Sequence, residues 1–188
     1  MKPRIIFFGD SIMSGEYVSP HLHWVTTLSR ELPDWLVMNQ SVPGDTTRMA
    51  LERMPGDVQK YHPDVLVVQF GMNDCNHWET DEGLPRVSEL AYEYNLREIA
   101  RRGLRFGAES VMFLTSHPTL KGDEYEKQRS HYNRIVRAVD YADVIDVERQ
   151  FGCPDELLED QIHLSARGHE VYHHIVGPRV KEICGYSS

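Results

Sequence analysis

The sequence predicts an α/β protein in which helices cover both faces of a five-stranded parallel sheet, giving three layers. Short apolar runs alternate along the chain with longer segments of helical periodicity, which is typical of repeated strand-helix-strand units. The apolar runs do not alternate with polar residues, as expected of strands that are buried on both faces. With 188 residues and no internal repeats, the chain is predicted to form one domain over residues 1–188.

Five apolar segments are predicted to form the strands. In chain order they are Arg4–Phe8, Leu36–Asn39, Val65–Phe70, Ser110–Thr115 and Val144–Val147. Crossovers between parallel strands are almost always right-handed, which favours a doubly wound sheet. The pattern alone leaves the order of the strands open.

Helical periodicity predicts a helix between each pair of strands and one after the last strand. The segments are Leu22–Glu31, Thr46–Tyr61, Ser88–Phe106, Glu124–Ala142 and Ser165–Cys184. The clearest is the third, in which four residues are expected near one face: Leu90, Tyr94, Ile99 and Leu104. Ser165 is a favourable N-cap for the last helix.

Charge and composition exclude several classes of protein. Acidic residues outnumber basic ones 29 to 20, and the formal charge of −9 argues against binding to nucleic acid or to anionic membranes. No segment approaches the roughly 18 apolar residues of a membrane span, so we expect no membrane insertion. Three scattered cysteines favour a reducing compartment, and Ile5–Phe8 is too short for a signal-peptide core, so we expect a cytoplasmic protein. Homo-oligomer formation is left open.

Glycines and polar residues follow the predicted strands. The first three strands lead into Gly9–Ile12, Ser41–Thr47 and Gly71–Asp74, and the segment after the fifth strand leads into Asp160–His163. In open parallel sheets the functional site lies at the carboxyl ends of the strands. These four segments are therefore expected to share one site.

The four segments contain the groups that an acyl-transfer site needs: a nucleophile, a base, a group that orients the base, and donors for the developing oxyanion. Ser11 is the candidate nucleophile, and Asp160 and His163 can face each other across one turn as orienting acid and base. The backbone N–H of Gly44 and the side-chain amide of Asn73 are candidate donors. A serine in a turn and an Asp-x-x-His pair are each common, so the prediction depends on the whole set.

That set resembles the SGNH or GDSL hydrolases, whose name records a Ser, a Gly, an Asn and a His from four sequence blocks. Three blocks stand here as Gly9-Asp10-Ser11-Ile12, as Gly71-Met72-Asn73-Asp74, and as Asp160-Gln161-Ile162-His163-Leu164 followed by Gly168-His169. In the second block Pro43 precedes Gly44, where a small residue such as Ser is frequent. Proline stiffens the loop but leaves the N–H of the glycine untouched.

The resemblance covers nearly the whole chain and implies a flavodoxin-like sheet of order 2-1-3-4-5 without a cofactor. It implies that Ser11 is the nucleophile of a triad with His163 and Asp160. It also implies an oxyanion hole formed by the backbone N–H groups of Ser11 and Gly44 and by the side chain of Asn73.

Loops at the carboxyl ends of strands usually carry specificity. We therefore expect a small-molecule ester substrate to contact Asp10, Asp74, Trp78 and His117. A short acyl group, such as an O-acetyl group on a carbohydrate, is favoured because no long apolar segment suggests a lid or a lipid-binding surface. A thioesterase, a lysophospholipase, an acyltransferase to a sugar hydroxyl, and a non-catalytic carbohydrate-binding module are the alternatives.

Two further groups of residues are not assigned a role in chemistry. The pairs His21 and His23, and His173 and His174, lack the spacing of helical metal ligands, so we expect no metal and interpret them as surface or pocket-rim residues. Cys75 follows Asp74, but nothing near it in the sequence would lower a thiol pKa, which indicates an inert thiol.

Overall fold

The computed structural model describes residues 2–77, 80 and 82–186, and within them one parallel sheet organises the chain. Its strands are β1 (Arg4–Gly9), β2 (Leu36–Asn39), β3 (Val65–Gln69), β4 (Ser110–Leu114) and β5 (Asp143–Ile145). They lie in the order β2-β1-β3-β4-β5, and every neighbouring pair is parallel. The fold class and the order implied by the family resemblance are confirmed.

Helices connect the strands as expected. They are α1 (Ser11–Ser14), α2 (Trp24–Glu31), α3 (Thr47–Asp57), α4 (Glu89–Arg105), α5 (Asp123–Arg137), α6 (Pro154–Leu157) and α7 (Ala166–Ile183), with a 3-10 turn at Gln59–Tyr61. The hydroxyl groups of Thr46, Ser88 and Ser165 cap α3, α4 and α7 by accepting backbone N–H groups of the first turn. Among the described residues, no helix has both the length and the apolar character to cross a membrane.

Two apolar cores lie on opposite faces of the sheet, because successive side chains of a strand point in opposite directions. Ile5 and Phe7 of β1 pack on the face that α2 and α7 cover, where Trp24 is fully buried. Ile6 and Phe8 pack on the other face with residues of α3, α4 and α5. The central strands are buried on both faces, and the sheet therefore presents its functional groups only at its ends.

The edge strands correct one part of the sequence prediction. In β2, Leu36 and Asn39 are exposed and the residues between them are only partly buried. In β5, Asp143 is exposed and the strand ends at Ile145, whereas Val147 is buried after the strand has ended. β2 and β5 are the edge strands of the sheet, each with a neighbouring strand on one side only. Their apolar composition therefore did not mean that both of their faces are buried.

The buried face of α4 also differs from the prediction. Leu90, Tyr94 and Leu104 are exposed, and only Ile99 of the predicted face is buried. The face against the sheet is formed by Tyr92, Leu96, Ile99, Ala100 and Gly103. A Cβ on Gly103 would lie 2.8 Å from Leu66 Cδ2, so glycine lets the helix approach β3 closely. The apolar pattern was misleading because two residues of the buried face, Ala100 and Gly103, have a small side chain or none and so do not stand out as apolar in the sequence.

Candidate active site

Ser11 begins α1 directly after β1 and lies at the carboxyl end of the sheet. The Asp10 carboxylate caps this short helix by accepting the N–H of Ile12 at 3.0 Å. A Cβ on Gly9 would lie 2.8 Å from the carbonyl oxygen of Gln69, so only glycine fits the end of the strand. The serine is 8% exposed, which leaves its hydroxyl at the edge of a packed turn.

His163 lies between Ser11 and Asp160 in the loop that joins α6 to α7. Its Nε2 is 3.1 Å from Ser11 Oγ, and its Nδ1 is 2.8 Å from one carboxylate oxygen of Asp160. The other Asp160 oxygen accepts the backbone N–H groups of Ile162 at 2.6 Å and of His163 at 2.7 Å. Because a carboxylate accepts, Nδ1 carries the ring proton and Nε2 is left to accept from the serine.

The surroundings of Asp160 favour its ionised form. Partial burial opposes ionisation, but the hydrogen bonds from the His163 side chain and from the backbone N–H groups of His163 and Ile162 outweigh it, and the pKa of Asp160 lies below its usual value. An ionised carboxylate at Nδ1 can hold the ring in one orientation and stabilise an imidazolium.

Asn73 and Gly44 lie at the same end of the sheet as Ser11. Asn73 Nδ2 donates to the Asp45 carbonyl at 3.0 Å and to Asp10 Oδ2 at 3.4 Å, beside the residue that precedes the serine. Gly44 is exposed in the turn before α3 and has φ of 81°. A Cβ there would meet nothing within 4 Å, so the left-handed backbone and not the space requires glycine at this position.

Three of the four residues that we expected to contact substrate are buried beneath the site. Asp10, Asp74 and His117 are each at most 1% exposed, so the prediction that they line the substrate walls is wrong for these three. The Asp74 carboxylate is used within the protein, where it accepts from the backbone N–H of Thr47 at 2.9 Å and from its hydroxyl at 2.5 Å. The fourth, Trp78, lies outside the described residues.

The buried carboxylates have unusual acidities. Burial raises the pKa of Asp10 to about 7, with further contributions from the charges of Asp74 and Asp45 and an opposing hydrogen bond from Ile12. Burial likewise raises the pKa of Asp74 to about 6, although the hydrogen bonds from Thr47 act against it. Cys75, next in the chain, is also buried, and this raises its thiol pKa, as the expectation of an inert thiol requires.

A buried polar chain supports the loop of His163. Gln69 Nε2 donates to the Tyr172 hydroxyl at 2.9 Å, and that hydroxyl donates to His117 Nδ1 at 2.6 Å. His117 Nε2 then donates to the carbonyl of Ile162 at 2.8 Å. Burial lowers the pKa of His117 to about 3, which keeps it neutral, as its acceptor role at Nδ1 requires. Gln69 was the available sequence signal, since a polar residue in an apolar strand needs a buried partner.

His23 is buried, with 5% of its surface exposed, but it lines a surface cavity together with Gly15, Thr26 and Asn39, in keeping with the pocket-rim expectation. Its ring packs under Gly15, where a Cβ would lie 2.4 Å from His23 Cδ2. The ring of His169 is 5.1 Å away and is also buried. Burial lowers the pKa of His23 to about 4 and that of His169 to about 3.

Two residues after α1 contact the imidazole of His163 and were missed by the sequence analysis. Glu16 Oε2 lies 3.2 Å from His163 Nε2, and the ring centroid of Tyr17 lies 5.0 Å from that of the imidazole. No sequence signal identified them, because exposed Glu and Tyr residues are common in loops.

Known proteins resemble this chain in sequence. Residues 7–171 match the GDSL-like lipase/acylhydrolase family. Esterase TesA from Pseudomonas aeruginosa is 26% identical over 139 residues, which are 72% of this chain and 64% of that protein. The arylesterase of Vibrio mimicus is 31% identical over 168 residues, covering 85% of this chain and 79% of its own length.

Among solved structures, the acetylxylan esterase Axe2 from Geobacillus stearothermophilus aligns with a TM-score of 0.79 at 21% identity. The alignment covers 100% of this chain and 98% of Axe2 and shows that the two share a fold. The family match spans most of the sequence and includes the segments that hold Ser11, Asn73 and His163. The chain therefore belongs to the GDSL-like lipase/acylhydrolase family, the SGNH hydrolases, and is a carboxylic ester hydrolase.

Proposed function

We propose that the chain cleaves esters of short acyl groups by acyl transfer to Ser11, with His163 as general base and acid and Asp160 as the group that orients it. The observation that carries the proposal is the position of His163, with Nε2 at 3.1 Å from Ser11 Oγ and Nδ1 at 2.8 Å from Asp160. Both distances lie within the range for proton transfer along a hydrogen bond.

The reaction has two steps. His163 Nε2 takes the proton of Ser11 as the serine oxygen attacks the ester carbonyl, and it then gives this proton to the departing alcohol. In the second step a water molecule, deprotonated by His163, attacks the acyl-enzyme, and the released serine oxygen recovers its proton. The products are a carboxylic acid and an alcohol.

The oxyanion that forms in each step needs hydrogen-bond donors. We assign this role to the backbone N–H groups of Ser11 and Gly44 and to Nδ2 of Asn73. The Asn73 amide has two N–H donors: one is used at the Asp45 carbonyl, 3.0 Å from Nδ2, and the second, whose contact with Asp10 Oδ2 is longer at 3.4 Å, is the one assigned to the oxyanion. A single donor of this kind contributes about 3 kcal/mol in the transition state.

We propose an O-acetyl or similarly short acyl group on a carbohydrate as the substrate. Two groups at this end of the sheet support a hydroxyl-rich alcohol over a lipid chain: the Glu16 carboxylate, which lies 3.2 Å from His163 Nε2, and the exposed backbone turn at Gly44. The shared fold with an acetylxylan esterase is compatible with this substrate class.

The test is hydrolysis of p-nitrophenyl acetate, butyrate and octanoate, together with acetate release from acetylated xylooligosaccharides. Ser11→Ala should lower kcat by about 10³-fold or more on every substrate, because it removes the nucleophile. Ser29→Ala is the matched control, since this hydroxyl only donates to the Thr26 carbonyl of its own helix.

The preference among the substrates then separates the alternatives. Faster turnover of acetate than of octanoate supports the short-acyl proposal, and the reverse would favour a lysophospholipase or long-chain thioesterase. Turnover that needs an added sugar acceptor would indicate an acyltransferase. No turnover of any ester, in the wild type as in Ser11→Ala, would contradict the proposed mechanism.

A further inference from the structure

Glu16 is held one helical turn after the nucleophile. The backbone N–H groups of Gly15 and Glu16 donate to the Ser11 carbonyl at 3.1 and 3.4 Å, so the loop folds back on α1. Gly15 has φ of 81° and lies against the His23 ring, which leaves no space for a side chain. The path of the backbone therefore directs the next residue toward the base.

The carboxylate of Glu16 and the hydroxyl of Ser11 both lie close to His163 Nε2, but the carboxylate can accept from this nitrogen only when the imidazole is protonated. Glu16 Oε2 is 3.2 Å from His163 Nε2, and Ser11 Oγ is 3.1 Å from the same nitrogen. The Tyr17 ring packs against the imidazole beside this contact, with φ of 65° at Tyr17. In the proposed mechanism Nε2 also delivers the proton to the departing alcohol, so the Glu16 carboxylate lies on the side from which the alcohol leaves.

The two carboxylates on the imidazole are placed differently. Asp160 contacts Nδ1, on the side of the ring away from Ser11. Glu16 contacts Nε2, and its side chain is 40% exposed, whereas that of His163 is 17% exposed. The Glu16 charge therefore faces the solvent-accessible side of the base, where part of a bound substrate must lie.

We infer that Glu16 is a specificity-determining residue, whose carboxylate disfavours esters that carry negative charge on the alcohol close to the ester bond. This inference rests on the proposed function of Ser11 and His163. It narrows the substrate class to esters of neutral or cationic alcohols, among which a neutral sugar hydroxyl fits, and it disfavours alcohols that carry a phosphate or carboxylate beside the ester.

The test compares three acetate esters of similar size with different charge on the leaving phenol. They are 4-acetoxybenzamide, which is neutral, 4-acetoxybenzoate, which is anionic, and (4-acetoxybenzyl)trimethylammonium, which is cationic. The kcat/KM of each ester is measured at low salt and at 1 M salt for the wild type, Glu16→Gln and Glu109→Gln. Glu109 is an exposed control at the amino end of β4, at the end of the sheet opposite Ser11.

Two like charges about 6 Å apart, at an effective dielectric constant of about 40, predict a roughly tenfold preference of the wild type for the neutral over the anionic ester at low salt. The cationic ester should be preferred over both. In Glu16→Gln the order should collapse to within about twofold to threefold, and in Glu109→Gln it should remain, because the Glu109 charge is too far from Nε2 to act. In the wild type, 1 M salt should reduce the preference, which gives a readout without any variant.

The possible outcomes separate the role of Glu16 from the proposed function. An unchanged ratio in Glu16→Gln, with hydrolysis of all three esters lost in Ser11→Ala, overturns the role of Glu16 and leaves the proposed function intact. A wild-type ratio that is close to one, or that does not respond to salt, also overturns the role of Glu16. Hydrolysis that persists in Ser11→Ala overturns the proposed function and the inference with it.

Discussion

The two ends of the proposed triad are held in different ways. At the nucleophile end, Ser11 and Asp10 are buried and follow a strand that is packed on both faces. At the base end, the side chain of Asp160 is 45% exposed, in a loop between two helices. Packing fixes the position of the serine, whereas hydrogen bonds fix the position of the histidine.

The hydrogen bonds of the base loop are mostly local. Glu159 N–H donates to the His163 carbonyl at 2.8 Å, and Asp160 accepts the N–H groups of Ile162 and His163. Two hydrogen bonds come from the segment after β4: buried His117 donates to the Ile162 carbonyl, and the exposed Leu120 donates its N–H to the Gln161 carbonyl at 2.8 Å. Substitutions of the residues that support the site should therefore act in two distinct ways. Around the base they should change activity, and beneath the nucleophile they should change pH-dependent stability.

The largest expected effect is that of Asp160→Asn. The Asn oxygen can still accept the backbone N–H groups of Ile162 and His163, so the loop should keep its shape, but an amide N–H would face Nδ1 and favour the wrong tautomer. We expect kcat to fall by about 10³-fold, with a melting temperature within about 2 °C of the wild type. Steady-state kinetics and thermal unfolding check this. The exposed Asp155→Asn is the control, and equal kcat in both variants would contradict the orienting role.

A smaller effect is expected at the buried hydrogen bond from His117 to this loop. His117→Ala removes the donor to the Ile162 carbonyl and the partner of Tyr172. By analogy with other groups that orient a catalytic ligand, kcat should fall by about tenfold or more while KM changes little. His117→Gln can donate to the same carbonyl and should recover part of kcat. If both variants kept the wild-type kcat, the other hydrogen bonds of the loop would be sufficient to hold the base.

The smallest effect is expected at the buried end and concerns stability. Asp74 has a raised pKa of about 6, and within the described residues its Oδ2 has no hydrogen-bond partner. When the pKa of a carboxyl group is higher in the folded than in the unfolded state, the folded protein loses stability as the pH rises from the unfolded pKa to the folded pKa, here from about 4 to about 6. Asp74→Asn imitates the protonated form and should raise the melting temperature by a few degrees at pH 8, with little change at pH 4.

Thermal unfolding of this variant at both pH values provides the check. The exposed Asp140→Asn should show no such dependence on pH. A melting temperature of Asp74→Asn that is unchanged or lower at pH 8 would mean that the buried charge is compensated.

The strands and the residues that lie near Ser11 could be predicted from the sequence for one physical reason. Strands buried on both faces are apolar along their length, and the carboxyl ends of parallel strands meet at one edge. The segments after β1 and β3, and the loop of Asp160 and His163, could therefore be grouped from the sequence alone. Within each of these segments the residues of interest are only a few positions apart, as Asp160 and His163 are. Geometry over such short distances along the chain can be predicted from sequence.

Features that depend on distant contacts were not predicted. Asp10, Asp74 and His117 follow strands, but their side chains turn into the protein and form hydrogen bonds with other segments: Asn73 donates to Asp10, Thr47 to Asp74, and His117 to the Ile162 carbonyl. The burial of His23 depends on the absence of a side chain at Gly15, and the buried face of α4 depends on Gly103. Glu16 reaches His163 only because the fold brings together two loops from opposite ends of the chain, a contact that no local pattern contains.

Covalent labelling can show whether Ser11 is a nucleophile activated by His163. The wild type, Ser11→Ala and His163→Ala are incubated with a fluorophosphonate, and the intact mass and the labelled peptide are determined by mass spectrometry. We expect one label per chain on Ser11, none in Ser11→Ala, and labelling slowed by about 10²-fold or more in His163→Ala. A label on another residue, or equally fast labelling without His163, would contradict this expectation.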